Sequence, residues 1–367
     1  MSEHFSRAGI AAGLSRTWSV KLSTPANMTA ALITGLSGQT LTDDERAFYR
    51  DVKPAGVILF KRNVEDGALV RPLVDSVLDA IGRDDVLVLI DQEGGRVQRL
   101  RPPNARDLPP AAAYAALYQT DKEAAKASAY CVAQLVAHEL RGYGINMNCA
   151  PVLDVPVPGA HDIIGDRAYG TTPTQIIDLA REVAEGLMAG GVAPVIKHIP
   201  GHGRATADSH LDLPVVTTPH TALSQSDFVP FRALAHMPAA MTAHVVFSDI
   251  DKENPASTSP IVTRDIIRGE IGFDGFLMSD DLSMKALTGP MRARAEAVIR
   301  AGSDVALHCN GDLAEMRAAA EGVPQLVGTA AARFERAFAV TRKREPFDLD
   351  VAVAHLGSLS AYKATVA

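Results

Sequence analysis

The chain has 367 residues, of which 47% are apolar and 22% are charged, and its formal net charge at pH 7 is -7. This length and apolar content suffice for one large hydrophobic core. The negative charge, with no run of Lys and Arg to offset it, argues against nucleic acid or an anionic membrane as a partner.

Eight short apolar runs recur along the chain and are typical of buried strands. They cover residues 30–36, 55–60, 86–90, 145–155, 193–199, 239–247, 275–278 and 305–309. Stretches with helical periodicity, roughly 10 to 20 residues long, lie between them. These cover residues 67–81, 122–143, 174–189, 223–235, 263–271, 290–301 and 312–321.

The alternation of strands and helices predicts a parallel sheet, because each crossover between parallel strands needs a helix or its equivalent. Eight such units are the number that closes an α/β fold into a (β/α)8 TIM barrel. A doubly wound open sheet is the alternative. We expect one barrel domain over residues 29–345, an N-terminal extension of unknown role over 1–28 and a C-terminal tail over 346–367.

Polar residues follow nearly every predicted strand. They are Lys61, Arg62, Asp91, Asp154, Lys197, His198, His244, Asp280 and Asn310. In a TIM barrel the carboxyl ends of the strands meet at one mouth, where the active site lies. The barrel is favoured over the open sheet partly for this reason.

The segment 197–214 reads KHIPGHGRATADSHLDLP and is too rich in Gly and Pro to be a helix. It gathers three imidazoles, His198, His202 and His210, with the carboxylate of Asp208. Such groups suit proton transfer and the binding of polar ligands better than packing. The alternative is a solvated surface loop, but the position of this segment after a predicted strand favours a chemical role.

Two other motifs stand at predicted strand ends. Residues 91–99, DQEGGRVQR, combine two glycines that allow a tight turn with more charge than a routine turn carries. Residues 279–284, SDDLSM, offer Asp280 as a nucleophile, a metal ligand or a helix cap. Because Asp and Ser are favoured N-caps, we expect Asp281 or Ser283 to cap the next helix and Asp280 to face the barrel mouth.

The three cysteines, Cys131, Cys149 and Cys309, are far apart in the sequence and indicate neither a disulfide framework nor a zinc site. We expect them to be small core residues. Charged residues interrupt every apolar stretch of residues 1–28, and no later segment has the ~18 apolar residues of a membrane span. The sequence therefore predicts a cytoplasmic protein.

Five motifs together resemble one enzyme family. They are DQEGGRVQRL (91–100), APVLDV (150–155), GDRAYG (165–170), KHIPGHG with DSH (197–210) and SDDLSM (279–284). In this order they resemble glycoside hydrolase family 3, and within it the single-domain bacterial β-N-acetylhexosaminidases of peptidoglycan recycling. One departure is Ile199, where family members commonly have Phe after the Lys-His pair.

The resemblance implies a retaining β-N-acetylhexosaminidase that releases non-reducing terminal β-linked N-acetylglucosamine from peptidoglycan-derived muropeptides. It implies Asp280 as the nucleophile and His210 as the general acid/base, with Asp208 as the partner that orients His210. It further implies that the sugar hydroxyls and the N-acetyl group are bound by Asp91, Arg99, Arg167, Lys197 and His198.

The roles implied for Asp280, His210 and Asp208 meet the chemical requirements of a retaining glycosidase. A retaining glycosidase needs a carboxylate to attack the anomeric carbon and a proton donor beside the leaving oxygen. An imidazolium with a pKa of about 6.5 can protonate the leaving alcohol and then take a proton from water. Asp208, two residues from His210, can support the charged form of the ring.

Three other interpretations remain open at this point. A metal-dependent barrel hydrolase also gathers His and Asp at strand ends, although no cluster here has clear ligand spacing. A sugar-binding barrel without catalysis and a broad-specificity β-glucosidase are the others. We expect a monomer that acts on a small sugar or muropeptide, with no cofactor, no metal, and no nucleic acid or membrane partner.

Overall fold

The structure, a computed structural model, describes residues 29–205, 207 and 212–363. Within these residues eight parallel strands form a closed barrel in which each strand pairs with its neighbours in the chain and the last pairs with the first. The strands are β1 (Ala30–Thr34), β2 (Pro54–Leu59), β3 (Leu87–Ile90), β4 (Met147–Asn148), β5 (Ala193–Ile199), β6 (Ala239–Thr242), β7 (Phe276–Asp281) and β8 (Val305–His308). The predicted TIM barrel is confirmed, and the open sheet is excluded.

Helices surround the barrel. They are α1 (Asp43–Val52), α2 (Lys61–Val64), α3 (Gly67–Ile81), α4 (Ala111–Thr120), α5 (Lys122–Gly142), α6 (Pro173–Ala189), α7 (His220–Gln225), α8 (Phe228–Ala233), α9 (Met291–Ala301), α10 (Leu313–Glu321), α11 (Gly328–Val340) and α12 (Leu349–Lys363). Short 3₁₀ turns cover Gly165–Arg167 and Ala256–Thr258, and a π-helix covers Val262–Glu270.

The core has two layers because each strand of a closed barrel is buried on both faces. Alternate strand residues such as Ile33, Leu89 and Met278 fill the barrel interior. The residues between them, such as Leu32 and Val88, pack against the helices. This double burial explains why the strands read as continuous apolar runs in the sequence.

The predicted strand over 145–155 is much shorter in the structure. Only Met147–Asn148 forms a regular strand of the barrel. Residues 150–155 run beside β5 with a single isolated bridge, between Val152 and Lys197. Pro151 has no N–H to donate to a ladder, although its carbonyl oxygen accepts the N–H of Lys197 at 3.2 Å. The irregular backbone brings Asp154 to the barrel mouth.

Two further predicted elements are divided. The strand over 239–247 ends at Thr242, and Val246–Phe247 pairs instead with Val215–Val216 in a separate two-stranded sheet. The helix over 223–235 is interrupted between α7 and α8, where Ser226 donates to the carboxylate of Asp227 at 2.7 Å. Such local side-chain hydrogen bonds compete with helical structure.

The amino-terminal end of the barrel is covered by α11, whose Phe334 ring packs edge-on against Phe276 with centroids 5.7 Å apart. Helix α12 packs against α4 and α5, and the ring of His355 hydrogen-bonds Ser128 at 3.0 Å. Cys149 and Cys309 lie in the barrel interior, as expected of core residues. In the part of the chain that the structure describes, no helix is long and apolar enough to cross a membrane.

Candidate active site

A cavity of about 390 Å³ opens at the carboxyl ends of the barrel strands. Its walls combine charged residues that end or follow the strands with apolar residues of the barrel interior. Its lining includes Phe60, Asp91, Arg96, Arg99, Ile163, Ile164, Arg167, Lys197, His198, His202, Met241, Asp280, Asp281 and Met284. This end of a TIM barrel is where the fold carries its chemistry.

Asp91, directly after β3, binds two cations. Its Oδ2 lies 2.9 Å from Nη2 of Arg99, and its Oδ1 lies 2.8 Å from Nζ of Lys197 on β5. Burial by itself would raise the pKa of Asp91, but the charges of Lys197 and Arg99 outweigh it and lower the pKa well below its usual range. The carboxylate is therefore ionised at neutral pH.

Glu93, two residues after Asp91, also binds two cations. Its Oε1 lies 2.7 Å from Nζ of Lys197, and its two oxygens accept hydrogen bonds from Nε and Nη2 of Arg167, each at 2.8 Å. Burial opposes ionisation, yet Arg167 and Lys197 lower the pKa of Glu93 to about 2. The result is an alternating charge network of Arg99, Asp91, Lys197, Glu93 and Arg167.

Lys197 is the centre of this charge network and is only 3% exposed. Burial disfavours its ammonium form, but Asp91 and Glu93 together raise the pKa of Lys197 above its usual value. With three cations and two carboxylates, the network carries an excess of positive charge. Hydrogen-bond donors fixed in this way suit a ligand rich in oxygen acceptors, such as a sugar.

A second cluster lies beside the first at the mouth of the barrel. Asp154 is fully buried, and its carboxylate accepts hydrogen bonds from Nδ1 of His198 at 2.7 Å and from the N–H of His202 at 2.6 Å. Because a carboxylate only accepts, Nδ1 of His198 carries the hydrogen. Burial and the neighbouring His198 lower the pKa of His202 to about 4, so His202 is neutral at pH 7.

Asp280 and Asp281 end β7 at the cavity. The N–H of Asp280 donates to Oγ1 of Thr242 at 3.3 Å, and the N–H of Asp281 donates to Oδ1 of Asp280 at 2.8 Å. The prediction that Asp281 or Ser283 caps the next helix is wrong, because α9 begins only at Met291. Asp281 instead accepts the N–H of Ser283 at 3.0 Å and stabilises the turn after β7.

The apolar wall also orients a cation. The guanidinium of Arg99 lies 4.9 Å from the centroid of the Phe60 ring, and that of Arg62 lies 5.1 Å from the same ring. Arg62 is itself held by a hydrogen bond from Nε to the carbonyl oxygen of Leu36 at 2.7 Å. Cation–π contacts of this kind help to fix Arg99 toward the cavity.

Six of the eight predicted site residues line this one cavity. They are Asp91, Arg99, Arg167, Lys197, His198 and Asp280. The other two, Asp208 and His210, lie outside the described residues. The structure thus brings together side chains from the carboxyl ends of four different strands and from the segments that follow them.

The sequence predicted no specific catalytic or sugar-binding role for Glu93, Asp154 or His202. Glu93 stands in the polar DQEGG segment, and Asp154 is one of the polar residues at strand ends. The sequence therefore indicated that these two residues lie near strand ends, but it did not indicate which residues of other strands they contact. The partners that identify their roles, such as Arg167 for Glu93, are close only in the folded chain.

The arrangement is suited to displacement at a polar, oxygen-rich substrate. Asp280 provides a carboxylate at the cavity wall, and the charge network provides fixed donors beside it. Across residues 29–205, 207 and 212–363, no three His, Cys, Asp or Glu side chains are grouped so as to hold a metal ion.

Comparison with known proteins identifies relatives of this chain. The sequence pattern of the glycosyl hydrolase family 3 N-terminal domain matches residues 14–341. A protein named Beta-hexosaminidase from Alkalilimnicola ehrlichii is 41% identical over 283 residues, which cover 76% of this chain and 80% of that protein.

Two solved structures are similar along nearly the whole chain. NagZ from Neisseria gonorrhoeae, in complex with N-trifluoroacetyl-D-glucosamine, superposes with a TM-score of 0.78 at 30% identity, covering 94% of this chain and 98% of that one. A family 3 β-N-acetylglucosaminidase from Paenibacillus sp. FPU-7 gives a TM-score of 0.73 at 31% identity, covering 93% of this chain and 62% of that longer one.

Proposed function

This chain belongs to glycoside hydrolase family 3, and we propose that it is a retaining β-N-acetylhexosaminidase that releases non-reducing terminal β-linked N-acetylglucosamine from peptidoglycan-derived muropeptides. The observation that carries the proposal is the cavity in which Asp280 lies with five charged or polar groups suited to a sugar. Relatives named Beta-hexosaminidase and a neighbour bound to a glucosamine derivative support the choice of sugar.

In this proposal Asp280 is the nucleophile. A carboxylate oxygen of Asp280 forms a bond to the anomeric carbon while the bond from that carbon to the leaving oxygen breaks. The hydrogen bond from the N–H of Asp281 to Oδ1 of Asp280, at 2.8 Å, supports this role because it fixes the orientation of the carboxylate. The product of the first step is a covalent glycosyl-enzyme. In the second step a water oxygen forms a bond to the anomeric carbon while the bond from that carbon to Asp280 breaks.

The proposed general acid/base is His210, with Asp208 as the residue that orients its ring. The imidazolium gives its proton to the leaving oxygen in the first step, and the neutral ring takes a proton from the attacking water in the second. Both residues lie outside the described part of the chain, so the support for these roles is the DSH motif that they share with the family.

We further propose that Asp91, Arg99, Arg167, Lys197 and His198 bind the sugar. Asp91 has acceptor capacity for hydroxyl groups, and the cations donate to hydroxyl and acetamido oxygens. The ion pairs of Asp91 and Lys197 at 2.8 Å support this role, since groups held by one another need little reorganisation when the sugar binds.

The remaining parts of the proposal come from the sequence and from the resemblance to the bacterial enzymes. We propose that the protein acts in the cytoplasm in peptidoglycan recycling, as a monomer and without cofactor, metal, nucleic acid or membrane partner. The division into residues 1–28, 29–345 and 346–367 stays a prediction.

One experiment tests the reaction directly. The purified protein is incubated with 4-nitrophenyl β-N-acetylglucosaminide in phosphate buffer, and the first-formed product is followed by proton NMR. We expect free N-acetylglucosamine in the β configuration, because two displacements at one carbon retain the configuration. The α anomer would contradict a covalent intermediate, and N-acetylglucosamine 1-phosphate would contradict hydrolysis. Release of N-acetylglucosamine from a purified muropeptide tests the natural substrate class.

A further inference from the structure

His244 follows β6 and has no part in the proposed function, yet it is fully buried beside the site. Its Nε2 lies 3.0 Å from the carbonyl oxygen of Asp281, and its Nδ1 lies 2.7 Å from Oγ of Ser257. Because a carbonyl oxygen only accepts, Nε2 carries a hydrogen and donates it to Asp281, and Nδ1 forms the second hydrogen bond with the Ser257 hydroxyl. Both ring nitrogens are therefore hydrogen-bonded.

Asp281, the residue that His244 contacts, is held from several directions. Its Oδ1 accepts the N–H of Cys309 and the N–H of Ser283, each at 3.0 Å. Its own N–H donates to Oδ1 of Asp280 at 2.8 Å. The orientation of the Asp280 carboxylate thus depends on where the backbone of Asp281 lies.

The strand ladder alone does not fix this part of the backbone. The pairing of β7 with β8 shifts register between Met278 and Asp281, as in a β-bulge. On the β6 side, where the ladder ends at Met278, side chains from the end of β6 hold the bulged segment. Oγ1 of Thr242 accepts the N–H of Asp280, and His244 donates to the carbonyl oxygen of Asp281. Bulges often re-aim side chains next to active sites.

We infer that His244 is a positioning residue for the reaction: its Nε2 holds the backbone of Asp281 at the carbonyl oxygen, and the N–H of Asp281 orients the carboxylate of Asp280 toward the anomeric carbon. This inference rests on the proposed role of Asp280. A misplacement of about 1 Å can cost about 100-fold in rate. Loss of this hydrogen bond therefore slows formation of the glycosyl-enzyme, while the sugar-binding groups keep their own ion pairs.

The test compares two substitutions of similar length that differ in one hydrogen-bond donor. His244→Gln places an amide N–H near the position of Nε2, and His244→Met places an apolar thioether there. The rate constant of nitrophenolate release is measured in single turnovers of 4-nitrophenyl β-N-acetylglucosaminide with enzyme in excess. The Kd for N-acetylglucosamine is measured by calorimetry.

For His244→Met we expect a rate constant about 10- to 100-fold below that of the wild type and an unchanged Kd. For His244→Gln we expect recovery of most of the rate. A wild-type rate in the Met variant, a Gln variant as slow as the Met variant, or a parallel loss of sugar affinity would overturn the inference. If the Met variant does not fold, His244→Asn, which can reach Ser257 but not Asp281, replaces it.

A covalent trapping experiment separates this inference from the proposed function. The wild-type protein is treated with a 5-fluoro N-acetylglucosaminyl fluoride, and the labelled peptide is identified by mass spectrometry. Absence of an adduct on Asp280 would overturn the nucleophile and with it the role of His244. An adduct on Asp280 together with an undiminished rate in the Met variant would overturn the role of His244 alone.

Discussion

Glu93 binds Arg167 through both carboxylate oxygens, with two hydrogen bonds of 2.8 Å each. In this way it ties the antiparallel hairpin of Gln92–Gly94 and Val97–Gln98, which follows β3, to the 3₁₀ turn after β4. The same carboxylate lies 2.7 Å from Nζ of Lys197. One buried anion thereby sets the positions of two cations that line the cavity. The stability of the site depends on the charge of Glu93.

Substitution of Glu93 by Gln should destabilise the fold in a pH-dependent way. Breaking a buried ion pair from one side costs about 3 kcal/mol or more at neutral pH. The pKa of Glu93 is 4.5 in the unfolded chain and about 2 in the folded one, so between these pH values the unfolded chain binds more protons. The contribution of the carboxylate is therefore complete above pH 4.5 and is lost as the pH falls toward 2.

Urea unfolding of the wild type and of Glu93→Gln at several pH values between 3 and 6 measures this effect. The difference in the free energy of unfolding should grow as the pH rises from 3 to about 4.5 and should then stay level up to pH 6. Glu123→Gln, at a position where the side chain is 80% exposed, is the control for loss of one surface carboxylate. A difference that does not vary with pH would contradict the charged role of Glu93.

Asp280→Asn should abolish turnover while the fold stays intact. Asn retains a side-chain oxygen that can accept the N–H of Asp281, but it cannot form the glycosyl-enzyme. Steady-state assays with an aryl β-N-acetylglucosaminide and thermal unfolding measure the two properties. We expect activity to fall by several orders of magnitude with little change in Tm, and substantial residual turnover would exclude this nucleophile.

His210→Ala should slow substrates according to the quality of their leaving groups. A poor leaving alcohol needs a proton in the transition state, whereas a nitrophenolate leaves without one. The loss in kcat/KM should therefore be far larger for an alkyl or disaccharide β-N-acetylglucosaminide than for the nitrophenyl compound. An equal loss on both kinds of substrate would indicate a binding role for His210.

The enzyme should prefer a β-linked N-acetylglucosamine over a β-linked glucose. A site built around a polar substituent leaves its own groups unpaired when the substituent is absent, at a cost of about 1 to 3 kcal/mol for each group. One such loss corresponds to a preference of roughly 10-fold or more in kcat/KM. The 4-nitrophenyl β-glycosides of the two sugars provide the measurement, and comparable values would favour a broad β-glucosidase.

The sequence by itself determined the barrel and the end of it at which the candidate site lies. Strands buried on both faces must be apolar throughout, so the run at 193–199 could be recognised without knowledge of its neighbours. The polar residues at strand ends, among them Asp91, Lys197 and Asp280, could be assigned to one mouth because all strands of a parallel barrel point the same way.

Only the tertiary structure decided which of these groups touch one another. Glu93 pairs with Arg167, and His244 pairs with Asp281. Each pair joins residues that end or follow different strands, and their spacing in the sequence carries no information on contact. The shortening of β4 likewise depends on how Pro151 meets β5. Periodicity reports how each segment is buried, whereas ion pairs and hydrogen bonds depend on through-space distances that exist only once the barrel is closed.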